Sequence, residues 1–364
     1  MNISSREVYV TRKILEPGLS MLSRECKVTL NTKSTPPSKA EIIKNVASKD
    51  AILCTVSDRI DSQIIDAAGP NLKVISSYSS GYDHIDIKEA TRRGIYVTFT
   101  SDIPAEATAD LAFTLILACA RNIVSADEYV RKNKWKVGWA PDLMLGYDVH
   151  GATLGIIGLG RIGSAMARRA KGFGMQILYY DHCRNYKLES ELNVKYADLD
   201  ELLSQSDFVS IHTTMNNTSY HLIDRSKLEK MKKTAFLINT ARGHLINEGD
   251  LVTALKERRI AGAGLDVFET EPLQELNPLL KMKQNVTMVP HIGCATYQTR
   301  SRMAKVAARN LLDVLDGKEP DPAFLVNPEV KSVTPRIEAH AQTRIVEKAY
   351  STGSSSSSSS FSTS

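Results

Sequence analysis

Short apolar runs alternate with stretches whose apolar positions recur three and four residues apart, and this alternation fills most of the chain. The runs at 8–11, 51–56 and 74–77 read as strands buried on both faces, with helical patterns at 14–22, 62–68 and 87–93 behind them. The same period resumes with strands at 154–157, 176–180, 208–212, 235–239, 261–267 and 286–289. Helical patterns at 164–172, 199–204, 224–231 and 248–258 lie between them. Strand and helix in repeated succession predict an α/β chain of parallel, doubly wound sheets. The longest helical pattern, 105–131, is apolar on several faces, so it is expected to be buried all round or to pack on a partner. A long amphipathic pattern at 298–316 is expected to return to the first sheet. The first domain is then discontinuous, residues 1–104 with 296–332, around a second domain of residues 105–295.

Composition narrows the class. Of the 364 residues 42% are hydrophobic and 24% charged, as in a soluble globular protein with room for two cores. Apolar stretches such as 111–120 are too short for a membrane span, and the N-terminal residues lack the apolar core of a signal peptide. Five cysteines without metal-site spacing predict reduced thiols, a cytoplasmic setting and no metal. A net charge of +5, with basic residues scattered among acidic ones, leaves no nucleic-acid footprint. The segment 333–364, with its serine run 354–360, cannot bury enough apolar area to order itself and is expected to be a disordered tail.

Residues 153–181 carry the first chemical signal. An apolar strand runs directly into Gly158-Leu159-Gly160-Arg161-Ile162-Gly163, a helix follows, and a second strand ends in Asp181. Gly158 allows a tight turn, Gly160 lets the backbone approach a pyrophosphate, and Gly163 lets helix and strand pack closely. A carboxylate at Asp181 can accept from an adenosine ribose hydroxyl and would repel a 2′-phosphate, so NAD is the expected cofactor. NADP stays open because His182 and Arg184 follow at once.

Three charged residues end later strands: Arg242, Glu271 and His291. Carboxyl ends of parallel strands share one edge, so the three can converge. A guanidinium can hold a carboxylate, an imidazole can pass a proton near neutral pH, and a carboxylate can orient the imidazole. By the same edge rule the loops 55–59 and 79–82 are candidate walls of a substrate pocket, with Ser80 and Gly81 offering N–H groups to an anion.

The motifs 155–163, Asn239-Thr240-Ala241-Arg242-Gly243, 262–272 and Pro290-His291-Ile292-Gly293 together resemble the D-isomer-specific 2-hydroxyacid dehydrogenases, most of all their glyoxylate/hydroxypyruvate reductase branch. The resemblance covers roughly residues 5 to 330. It implies two Rossmann-like domains, a homodimer, and reduction of a small 2-oxo acid with a nicotinamide cofactor. It further implies that Arg242 binds substrate, that Glu271 partners the general acid/base His291, and that Asp266 holds the nicotinamide carboxamide. Thr240, Ala241 and Gly293 would line the cofactor, and Trp139 would reach the substrate pocket of the other subunit. Phe99-Thr100-Ser101-Asp102-Ile103 and Thr213-Thr214-Met215 depart from the family pattern. Ser80 stands where a phosphite-oxidising relative would carry lysine. Other specificities, such as 3-phosphoglycerate or D-lactate, and a dinucleotide-sensing corepressor-like protein, share the motifs.

Overall fold

Strands apolar on both faces are driven to the middle of a sheet, and Ala51–Cys54 and Val74–Ser77 are buried at every position. The computed structural model describes residues 6–282 and 285–333; the serine-rich stretch from residue 334 onward lies outside them. The chain divides into one unit of Met1–Ile103 with Arg300–Ser364 and another of Pro104–Thr299.

The first unit holds β1 (Glu7–Val10), α1 (Gly18–Glu25), β2 (Lys27–Leu30), α2 (Lys39–Val46), β3 (Ala51–Cys54), α3 (Ser62–Ala68), β4 (Val74–Ser77), α4 (Ile87–Arg92) and β5 (Tyr96–Thr98). Its strands are all parallel, in the order β2-β1-β3-β4-β5. The helix expected at 14–22 begins only at Gly18, because Pro17 disfavours the α region for the residue before it. β2, α2 and the short strand β5 were not anticipated. β2 is an edge strand with no buried position, so it lacks a continuous apolar run, whereas α2 is marked at its start by a capping box between Ser38 and Glu41.

The second unit holds α5 (Ala105–Ala120), α6 (Ile123–Arg131), β6 (Thr153–Ile157), α7 (Arg161–Gly172), β7 (Gln176–Tyr180), α8 (Tyr186–Leu192), β8 (Lys195–Tyr196), α9 (Leu199–Gln205), β9 (Phe208–Ile211), α10 (Arg225–Leu228), β10 (Phe236–Asn239), α11 (Glu248–Lys256), β11 (Gly262–Leu265) and β12 (Val286–Met288). The sheet is again all parallel, ordered β12-β11-β10-β9-β6-β7-β8. The chain runs outward from β6 through β7 to β8 and then returns to the other side at β9. Strand order therefore reverses between β6 and β9, the place where such sheets bind ligands beyond their carboxyl ends.

The long helix expected over 105–131 is two helices, bent by 62°. Asn122 adopts a left-handed backbone (φ 53°) between them, a conformation asparagine tolerates better than most residues. α5 is buried along most of its length, while α6 has no buried residue at all. Among the described residues no single helix is long and apolar enough to cross a membrane.

From Arg300 onward α12 (Tyr297–Leu315) belongs to the first unit, where Ala304, Ala307, Ala308 and Leu311 share a core with Val8, Val10, Leu22 and Leu53. The segment after it is pinned by Asn327, which is fully buried. Its side chain accepts from the Val97 N–H (2.8 Å) and donates to the Ile95 carbonyl and the Thr91 hydroxyl (both 2.9 Å). Replacing it by leucine strands two buried backbone groups, each worth about 1–3 kcal/mol. Asn327→Leu is therefore expected to lower the unfolding midpoint in urea clearly, and an unchanged midpoint would show that the carboxyl-terminal segment is not held this way.

Candidate active site

β6 ends at the switch point, and the turn after it is shaped by contacts that only glycine permits. Gly158 has a φ of +94°, and a Cβ there would lie 2.8 Å from the His212 carbonyl carbon and the Thr213 nitrogen. A Cβ on Gly163 would stand 2.1 Å from the Gly158 carbonyl oxygen, so the start of α7 presses directly on the turn. Gly160 is different: its backbone is extended and no atom lies within 4 Å of where a Cβ would be. That open face, with Arg161 and Ile162 in the first helical turn behind it, is what a phosphate needs in order to reach the N–H groups at a helix start.

Asp181 closes the same site from β7. Its carboxylate accepts from the Leu159 N–H (2.9 Å) and the His182 N–H (2.8 Å), tying the end of the strand to the Gly-rich turn. Arg184 is already engaged: its guanidinium meets the Glu189 carboxylate at two points (2.7 and 2.8 Å) and lies 4.7 Å over the Tyr186 ring. The Tyr179 hydroxyl donates to the same carboxylate (2.7 Å), and the Arg184 hydrogen bond, ahead of that of Tyr179, holds the Glu189 carboxyl down at about 2.

The three strand-end charges occupy loops after β10, β11 and β12 of this sheet. Asn239, the last residue of β10, clamps the first loop. Its side chain accepts from the Ala241 N–H (3.0 Å) and donates to the Arg242 carbonyl (2.8 Å). Next to Arg242, a Cβ on Gly243 would fall 1.9 Å from the Phe268 carbonyl carbon, so the arginine loop rests against the backbone that leads to Glu271. Thr240 is buried with a hydroxyl that has no hydrogen-bond partner among the described residues.

His291 Nδ1 lies 2.7 Å from Glu271 Oε2, with the two side chains 32% and 35% exposed. The other carboxylate oxygen accepts from the Phe268 N–H (3.0 Å). Burial alone would raise the Glu271 pKa; the hydrogen bond and charge of His291, the Phe268 N–H and the charge of Arg242 outweigh it and hold the carboxyl below its ordinary value. The carboxylate is thus ionised at neutral pH and can only accept, so Nδ1 carries the proton and Nε2 is the nitrogen left to face a reactant. With a depressed folded-state pKa, this pairing stabilises the fold above the ordinary carboxylate range and is lost only as the pH falls through the depressed value.

The His291 loop hangs from Asp266. The Asp266 carbonyl accepts from the His291 N–H (2.9 Å), and its buried carboxylate accepts from the N–H groups of Ile292 (2.6 Å) and Gly293 (2.8 Å). Burial pushes the Asp266 carboxyl above the usual carboxylate range, although those two N–H groups and His291 pull it back.

Ser80 and Gly81 lie on the loop after β4, in the first unit. That loop is held by the Thr100 N–H, which donates to the Ser79 carbonyl (2.9 Å), and by a Ser77–Ser79 hydroxyl pair (2.9 Å). Trp139 lies in the segment after α6 and is 87% exposed. Two residues near the site were given no role by the sequence reading. Asn239 stood there only as the first residue of the motif that carries Arg242. His212, next after β9, backs Gly158; its ring pairs with the Ser210 hydroxyl (2.8 Å) and desolvation pushes its pKa down to about 3. Among the described residues no group of three or more His, Cys, Asp or Glu side chains is placed to hold a metal ion.

Comparison with known proteins places the chain in a family. Residues 113–293 match the family model described as D-isomer specific 2-hydroxyacid dehydrogenase, NAD binding domain. The chain is 51% identical over 328 residues to a glyoxylate reductase of Korarchaeum cryptofilum (strain OPF8), covering 90% of this chain and 98% of that one. The crystal structure of the TT0316 protein from Thermus thermophilus superposes with a TM-score of 0.82 at 43% identity, over 88% of this chain and all of that one. That of the NADPH-dependent glyoxylate/hydroxypyruvate reductase from Sinorhizobium meliloti, in complex with NADP and malonate, does so with a TM-score of 0.78 at 28% identity, over 90% and 98%. With a relative half identical over nearly its whole length, the chain belongs to the D-isomer-specific 2-hydroxyacid dehydrogenases, as an enzyme of the glyoxylate reductase-like kind that uses a nicotinamide dinucleotide.

Proposed function

We propose that the chain reduces glyoxylate or hydroxypyruvate to the corresponding 2-hydroxy acid, and the observation that carries this reading is the 2.7 Å pairing of His291 Nδ1 with Glu271. When bound, the reduced nicotinamide supplies a hydride to C2 of the oxo acid. Arg242 holds the substrate carboxylate through its planar fork. His291, charged and oriented by Glu271, gives the proton at Nε2 to the carbonyl oxygen, so one hydride and one proton convert the oxo group to a hydroxyl. Thr240, Ala241, Asp266 and Gly293 line the nicotinamide end, while the Gly158–Gly163 turn and Asp181 take the pyrophosphate and adenosine ribose. Five free cysteines accord with a reducing, cytoplasmic setting.

The relay is tested by pairing two variants in a spectrophotometric assay with glyoxylate, hydroxypyruvate, pyruvate and 2-oxoglutarate. His291→Ala is expected to lose about 10²–10⁴-fold in turnover while dinucleotide binding survives. Arg242→Lys keeps the charge but not the two-point fork, so efficiency is expected to fall with oxo acids of every length. Near-native turnover of His291→Ala, or a loss confined to larger substrates in Arg242→Lys, would remove the residue concerned from its role.

For the cofactor, we read Asp181 and the engaged Arg184 together as favouring NADH over NADPH. A 2′-phosphate would meet the Asp181 carboxylate, and Arg184 could neutralise it only by leaving Glu189 and the Tyr186 ring. Catalytic efficiency with NADH is expected to exceed that with NADPH, and the reverse order would overturn the assignment.

The chain is further proposed to act as a homodimer in which Trp139 closes the partner's substrate pocket. α6 buries no side chain of its own, and Ile123, Val124, Val130, Trp135, Val137, Trp139 and Leu145 are all more than half exposed. An indole in the partner's pocket limits room beyond C2 and would favour short oxo acids by about 1–3 kcal/mol. Sedimentation should give the mass of two chains, and Trp139→Ala should gain relative activity on bulkier oxo acids; unchanged substrate preference would rule out the intersubunit role.

A further inference from the structure

A second histidine–carboxylate pair lies on the same sheet edge. His221 Nε2 is 2.7 Å from Glu269 Oε1, and both side chains are largely shielded. Glu269 stands two residues before Glu271, so a stretch of three residues carries two carboxylates, each of which meets its own histidine.

Glu269 is held more firmly than a surface ion pair requires. Its Oε1 also accepts from the Glu248 N–H at the start of α11 (3.2 Å). In return its own N–H donates to Glu248 Oε2 (3.2 Å), and the other Glu248 oxygen accepts from the Asn277 side chain (2.6 Å). Glu269 is therefore fixed at both carboxylate and backbone, near a helix N-terminus that favours a negative charge. His221 is fixed in turn. It has a left-handed backbone (φ 50°), its N–H donates to the His244 carbonyl (2.8 Å), its ring stacks on Tyr220 with centroids 4.0 Å apart, and Nδ1 faces the Asn247 side chain. A non-glycine residue keeps such a backbone only where its surroundings over-determine it.

The two pairs join the loops after β9, β11 and β12, and the His221 N–H bond to the His244 carbonyl ties in the loop after β10, beside the close approach of Gly243 to the Phe268 and Glu269 backbone. Movement of Glu269 would carry Phe268 and Glu271 with it, since Glu271 Oε1 is bound to the Phe268 N–H. We infer that His221, Glu269 and Glu248 form a positioning network that sets the reach of Glu271 to His291, and so governs turnover without touching substrate or cofactor. The inference rests on the relay proposed above.

His221→Leu removes the donor to Glu269 and leaves the relay residues in place. Turnover is expected to fall about 10- to 100-fold, the scale of a displacement near 1 Å in a catalytic group, with KM and the directly measured dinucleotide Kd within about twofold of the parent. His221→Gln, whose amide can still donate to Glu269, is expected to recover most of the loss. In a Glu271→Gln background the His221→Leu change should cost little more, because both act through one group. Should His221→Leu fail to fold, Glu248→Gln reaches the same network from α11, and the same cycle is run with it. Unchanged turnover, failure of His221→Gln to rescue, or full additivity with Glu271→Gln would each overturn the positioning role. If Glu271→Gln itself leaves turnover and its pH profile untouched, the relay has failed instead.

Discussion

The loop that presents His291 depends on one buried carboxylate. Asp266 sits at the end of β11 with its carbonyl bound to the His291 N–H and its carboxylate bound to the two N–H groups that follow. Burying a carboxylate is costly unless its oxygens are hydrogen-bonded, so the protein gains most by keeping that loop attached. His291 needs the same attachment, since it carries a left-handed backbone (φ 52°). The loop that carries the imidazole is therefore held at a fixed point, with about a third of the His291 side chain (32%) left exposed. Glu271 then needs only one bond to orient the ring.

Parallel pairing does the rest of the assembly. β9, β10, β11 and β12 are neighbours in register, so the loops that carry His212, Arg242, Glu271 and His291 leave the sheet on one side. The same geometry places the Gly158 turn and Asp181 on that side, because β6 pairs with β9 and with β7. Groups well separated in sequence, such as Gly158 and His212, thus become neighbours through strand pairing. The side chains need only have the right chemistry at each strand end.

That is why the strand-end residues were legible in the sequence. An apolar run followed at once by Arg242 or His291 gives both the element and the edge on which its charge lies. Elements with a polar exposed side were harder to see: β2 has no buried position and left no apolar run. The break at Asn122 was hidden because the apolar pattern continues past it. The His221–Glu269 pair was illegible for a deeper reason. Neither residue sits in a periodic element, and their meeting depends on two loop paths that only the folded chain defines.

The adenosine end shows how far a residue list underdetermines chemistry. Asp181 and Arg184 lie three positions apart, and from the sequence they pull in opposite directions on a 2′-phosphate. Their neighbours decide between them. Asp181 remains beside the Gly-rich turn, bound to the Leu159 N–H, whereas Arg184 is drawn to Glu189 by a two-point ion pair that Tyr179 reinforces and two tyrosine rings flank. An exposed single-point pair would compete poorly with a phosphate, but a forked pair with a second donor on the same carboxylate is the geometry in which such pairs hold. The Asp181 carboxylate is thus left beside the Gly-rich turn while the Arg184 guanidinium is occupied, an arrangement that helix α8, through Glu189, sets as much as Asp181 itself.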